Sequence, residues 1–184
     1  MEKKELLKDV VEHIDIKSYD STALINAMRK MSFTSRDTAR AADILMMMCE
    51  EKTCTNMLTI AGSTSAAGCM QVYVDMVRNK MIDVVVSTGA SIIDMDLFEA
   101  LGFKHYIGEK ENVIPDTTLR ELYIDRIYDT YIDEEELQAC DHATYELSNM
   151  LEARPYSSRE FIWNLGKWLH EGRAVKKDSL IQTC

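Results

Sequence analysis

Residues 60–96 read IAGSTSAAGCMQVYVDMVRNKMIDVVVSTGASIIDMD. An apolar run ends in a loop of small residues, a helical stretch follows, and a second apolar run ends in a second small-residue loop. A strand–helix–strand unit of this kind sets two turns side by side at the carboxyl edge of a parallel sheet, where nucleotides and other anions bind. The predicted class is therefore α/β with a parallel sheet.

Working outward, Met57–Ala61 reads as a buried strand opened by Asn56 and closed by Gly62, and Ala67–Asn79 as the crossover helix. Met81–Ser87 is rich in β-branched residues and carries no charge after Asp83, the pattern of a strand covered on both faces. Ile92–Leu101 predicts a helix ended by Gly102, and Lys104–Ile107 a third strand. Upstream, residues 4–13 predict a short helix, and residues 21–31 another with Ser21 as its cap. In FTSRDTARAADILMMMCEEK, Ala41, Ile44, Leu45 and Met48 recur at helical spacing. The run Met46-Met47-Met48 predicts a helix buried on more than one side, its thioethers filling core gaps.

Downstream of Gly108 the pattern weakens to an excursion reaching Asp133, with a helical or extended piece at Leu119–Tyr128. Leu137, Cys140, Thr144, Leu147 and Leu151 then line one face of a helix over 134–152. Ser157 and Glu160 form a capping box for a helix striped by Phe161, Ile162, Leu165, Trp168 and Leu169 and stopped by Gly172. Residues 176–184 open a further amphipathic helix, with Asp178 or Ser179 in its first turn. Two or three strands followed by a shortened helix read as a single partial domain over residues 1–184.

The two loops carry the chemistry. Gly62-Ser63-Thr64-Ser65-Ala66-Ala67-Gly68 offers hydroxyls among side chains small enough for close approach to the backbone, so hydroxyls and N–H groups can meet phosphate oxygens. It is neither a GxGxxG nor a Walker A sequence, and alone it fits a tight strand–helix turn equally well. Ser87-Thr88-Gly89-Ala90-Ser91 repeats the chemistry one strand over, and the pair together favours a nucleotide or dinucleotide site. Asp94 and Asp96 follow in the next helix. They could serve its dipole, hydrogen-bond a ribose hydroxyl or pair with an ammonium group. For His105, packing is the favoured role.

Composition narrows the class. The net charge of −10 disfavours nonspecific binding to nucleic acid and would attract a cationic partner. No stretch is apolar enough for a membrane span, and the charged start MEKKELLKDVVEH is unlike a secretion signal, so a cytoplasmic protein is expected. Two prolines and seven glycines argue against a loop-rich chain. The cysteines form no CxxC pair and no metal spacing with histidine. Cys49, Cys69 and Cys140 read as reduced core or near-core thiols.

In FTSRDTARAADIL, AGSTSAAG, MIDVVVSTGASIIDMDLFEALGFKHYIG and NLGKWLHEGRAVKKDSLI, taken in order, the chain resembles the deoxyhypusine synthase family, and more closely its deoxyhypusine synthase-like branch. The resemblance implies a Rossmann-like subunit that assembles as a tetramer and binds NAD at a subunit interface. The namesake activity dehydrogenates spermidine with NAD. It then passes the aminobutyl group through a lysine imine to a lysine of a translation factor precursor. By the same resemblance Thr64 and Ser65, with Gly68 closing their loop, and Ser87, Thr88, Gly89, Ala90 and Asp94 are cofactor-binding positions, and Asp94 and Asp96 serve the polyamine. Ala66 stands where the family's eukaryotic enzymes carry asparagine, and Ile93 and Asp94 replace a Glu-Glu pair. The amine is thus open between spermidine, homospermidine synthesis and agmatine hydrolysis. The resemblance covers the amino-terminal half of the family, without the half that carries the catalytic lysine. It leaves two expectations: a portion of a transferase, inactive alone, or a non-catalytic binding module that pairs with a full-length paralogue.

Overall fold

A computed structural model describes residues 2–108 and 113–184. The part of the predicted 108–133 excursion that falls at 109–112 lies outside the described residues. The chain opens with α1 (Lys3–Leu6), then α2 (Thr22–Met28) and α3 (Phe33–Glu50). The strand–helix–strand unit follows: β1 (Met57–Ile60), a wide helical turn at Ser65–Cys69, α4 (Met70–Arg78) and β2 (Val84–Ser87). β1 and β2 pair in parallel, with Met57 opposite Val84 and Ile60 opposite Ser87. The next helix runs through α5 (Gly89–Ser91), a wide turn at Ile92–Leu97 and α6 (Phe98–Ala100). Gly102, at φ +101°, closes it.

β3 (His105–Ile107) is where the prediction of a third strand needs correcting. It does not extend the parallel sheet. With α7 (Asp116–Glu121) intervening, it joins β4 (Ile124–Ile127) and β5 (Thr130–Asp133) in a separate antiparallel sheet ordered β3-β5-β4. The helix over residues 4–13 is also cut short. Past Leu7 the chain extends and pairs with β3, Val11 N–H donating to the His105 carbonyl at 2.9 Å and Ile107 N–H to that of Asp9 at 2.7 Å. Val10 and Val11 suit that extended pairing better than a helix.

α8 (Glu134–Met150) and α9 (Ser158–Trp168) follow, the latter opened by the predicted capping box, and a turn at Leu169–Arg173 leads to α10 (Leu180–Thr183). The core gathers Ile60, Met70, Val74, Leu97, Phe98, Leu165, Leu169 and Leu180. A smaller cluster of Leu6, Leu119, Ile124 and Tyr131 lies under the antiparallel sheet.

Four further expectations change. Ser21 does not cap α2 through its side chain; Asp20 accepts the Thr22 N–H at 2.9 Å instead. α3 is not buried on several sides: of its residues only Ala39 is fully buried, and Met46 and Met47 are 58% and 67% exposed. Cys49, on its exposed end, is no core thiol, whereas Cys140 is buried and its thiol is pushed up to about 12, chiefly by burial. Lastly, β2 is covered on one face only. Among the described residues no helix is long and apolar enough to cross a membrane.

What ties these parts together is Glu99, in α6. It is 8% exposed, and its carboxylate meets His13 Nε2 at 2.6 Å, Lys176 Nζ at 2.7 Å and His105 Nδ1 at 3.0 Å. Burial would raise this carboxyl, but the bonds from His105, His13 and Lys176 outweigh it and hold Glu99 far below the usual carboxylate range. Glu99→Ala strips Lys176 of its counter-charge and leaves both imidazoles without their acceptor, and should cost roughly 3–5 kcal/mol of stability in urea denaturation; a loss under about 1 kcal/mol would show the cluster to be dispensable.

Candidate functional site

The two small-residue loops leave the same edge of the β1–β2 pair and are bonded to each other. Thr88 N–H donates to the Ile60 carbonyl at 3.1 Å, and Ser91 Oγ donates to the Gly62 carbonyl at 3.1 Å. Thr88 Oγ1 in turn accepts from Ser91 N–H at 3.4 Å, capping α5. The Thr88 cap thus positions Ser91, and Ser91 holds the second loop against the first. Ser91 and Gly62 belong to the two predicted loops but not to the cofactor-binding positions the resemblance implies; the threonine three positions before Ser91 is the local signal for the cap.

The first loop turns at Gly62, φ +73°, and again at Gly68, φ +90°. Gly68 is obligatory. A Cβ there would stand 2.6 Å from the Glu12 carbonyl oxygen, and an L side chain is disfavoured at that φ. The close approach comes from residues 12–14, where Ile14 N–H donates to the Gly68 carbonyl at 3.0 Å. His13 Nδ1 accepts Met70 N–H at 3.2 Å, so the first amide of α4 is already occupied and is not offered to an anion. Thr64 is exposed and its Oγ1 accepts from Tyr73 OH at 2.8 Å. Ser65 is 1% exposed, and its Oγ has no hydrogen-bond partner among the described residues.

The surface above these turns is open. A Cβ at Gly62 or Gly89 would meet nothing within 4 Å, and Thr64, Thr88, Gly89 and Ala90 are exposed. Small, exposed turns of this kind leave room for a phosphate-bearing cofactor such as NAD to approach the backbone, whereas the Ser65 hydroxyl is buried. Among the described residues no group of histidine, cysteine and carboxylates could hold a metal ion. A concavity between α7 and the β4–β5 hairpin, lined by Arg120, Tyr123, Arg126 and Tyr128 among others, draws on neither loop.

The two aspartates have different surroundings. Asp94 is half-buried, and burial followed by the Asp141 charge on α8 raises its carboxyl. Asp96 is 1% exposed, and its two oxygens accept Leu180 and Ile181 N–H, each at 2.8 Å. It caps α10 from the core instead of facing the loops. His105 is fully buried against Glu99 and stacks near Phe98, as its packing role predicted. The Glu99 cluster itself went unforeseen, because its partners are scattered along the sequence.

The deoxyhypusine synthase family model matches residues 23–184. A deoxyhypusine synthase-like protein of Caulobacter vibrioides is 66% identical over 182 residues, covering 99% of this chain and 49% of that protein. One from Coxiella burnetii is 57% identical over 98% of this chain and 51% of its own length. The chain therefore spans about half the length of the curated relatives it matches. Among solved structures, a deoxyhypusine synthase from Entamoeba histolytica superposes with a TM-score of 0.57 at 18% identity, covering 94% of this chain and 60% of that one. At that identity the likeness is one of fold.

Burial pushes the Asp96 carboxyl up to about 6, against the opposing bonds from Ile181 and Leu180. A folded value above the unfolded one, about 3.9, means the contribution of Asp96 to stability is full below pH 4 and is lost as pH rises through 6. Asp96→Asn removes that loss. Relative to the parent chain, the variant should gain roughly 2 kcal/mol between pH 4 and pH 7, read from urea midpoints at both; a pH-independent difference would refute the raised carboxyl.

Proposed function

This chain belongs to the deoxyhypusine synthase family, and from that premise we propose that it is the amino-terminal portion of an NAD-dependent aminobutyl transferase acting on spermidine or a related polyamine. The observation that carries the reading is the pair of open turns locked together by the Ser91–Gly62 bond at one edge of a parallel strand pair. Thr64, Ser65 and Gly68 from the first turn, with Ser87, Thr88, Gly89 and Ala90 from the second, would form one wall of the cofactor pocket. Held there, NAD would supply a hydride acceptor for the polyamine carbon that bears nitrogen.

The chain's own residues bind and orient. Exposed amides and hydroxyls of the two turns hold the pyrophosphate and ribose. Asp94, half-buried beside the Asp141 charge, is a carboxylate whose environment a polyamine ammonium would relieve. Asp96, already engaged with α10, supports the helix that presents Asp94. We assign no catalytic residue to these 184 residues. The lysine that carries the aminobutyl group, the opposite wall of the pocket, the oligomer and the translation factor precursor belong with the polypeptide that the relatives carry beyond the match. A cytoplasmic setting fits the same reading.

The test is calorimetry with NAD on this chain joined to the remaining part of the Caulobacter relative. Saturable binding is expected, and Gly89→Val, which meets open space in the folded chain, should weaken it at least about tenfold, or ~1.4 kcal/mol. A folded fusion that ignores NAD, or binds it equally well with valine at that position, would refute the assignment.

A further inference from the structure

The β1–β2 pair has one covered face and one bare one. Leu58, Ile60 and Val85 point into the main core. On the other side Met57, Val84 and Val86 are 57%, 37% and 50% exposed, with Thr59 exposed among them. The register places Met57 beside Val84 and Thr59 beside Val86, so the four make one contiguous uncharged patch. Parallel strands belong to sheets covered on both faces, because their crossovers lay helices on each side. A two-stranded parallel sheet with a bare apolar face lacks one of its layers.

Beside it, Asn56 binds the Met48 carbonyl at 3.3 Å and the Met81 carbonyl at 3.0 Å, tying the end of α3 to the starts of both strands. Met46 and Met47, at that end, are exposed as well. The residue types ask for cover that the described residues do not provide. The relatives, matched over nearly all of this chain, are about twice as long, so in them a similar length of polypeptide remains to be packed.

We propose that the Met57–Thr59–Val84–Val86 face is a docking surface for the polypeptide that full-length relatives carry beyond the matched half, with an apolar helix of that part laid across the strands. The occupant is thus a protein segment with an aliphatic face. It completes the sheet layer whether or not the loops bind NAD.

The experiment places a cysteine at Val86 and, separately, at Met57, and follows alkylation of each by peptide mass spectrometry, so that native thiols are read apart. It uses the 184-residue chain, the same chain joined to the remaining part of the Caulobacter relative, and the full-length relative substituted at the aligned positions. Labelling should be fast in the short chain and at least about tenfold slower in the other two. Equally fast labelling in the folded fusion or in the full-length relative would overturn the proposal. So would slow labelling of the short chain that depends on its concentration, since the face would then be filled by a second copy. Should the fusion fail to fold, the full-length relative alone decides the outcome.

Discussion

Glu99 is the charge on which the separate parts of this chain converge. Its ligands come from the extended amino-terminal stretch (His13), from β3 (His105) and from the segment before α10 (Lys176). A buried carboxylate is costly to desolvate, and that cost is offset only when every oxygen finds a partner in good geometry. The cluster therefore ties the amino-terminal segment, the antiparallel sheet and the carboxyl-terminal turn to α6. Because α6 continues the helix that follows the second loop, the cluster also fixes the helix on which Asp94 and Asp96 are carried.

The same economy governs Asp96. Its oxygens end the orphan amides of α10, which at four residues could not hold itself together alone. Val175 and Lys176 N–H groups bind the Ala100 carbonyl nearby, so the segment from Ala174 onward leans on the helix beneath the loops. Two acidic residues three positions apart thus hold distant chain segments, and the candidate ligand wall is built on that support.

The strand–helix–strand unit and its paired loops were legible in the sequence because their signals are local: β-branched runs and small-residue turns with glycine at Gly62, Gly68 and Gly89. The Ser157–Glu160 capping box was legible for the same reason, its partners being three residues apart. The sheet to which β3 belongs was not. Its partner β5 lies beyond an excursion with weak periodicity, and a three-residue strand carries no mark of parallel or antiparallel pairing. Glu99 was hidden more deeply, since His13 and Lys176 stand 86 and 77 residues away from it. The burial predicted for the methionine helix and for β2 followed from residue type, and residue type reports the surroundings a segment is suited to. The exposure of Met47 and Val86 measures the distance between that suitability and what the described residues supply.

His13 faces two ways. With Nδ1 accepting from the first amide of α4, its proton must sit on Nε2, where it is donated to Glu99. One imidazole is thereby a rigid strut between the helix that closes the first loop and the hub of the molecule. The first loop and the far end of the chain thereby share one hydrogen-bonded path, from the Met70 amide through His13 and Glu99 to Lys176.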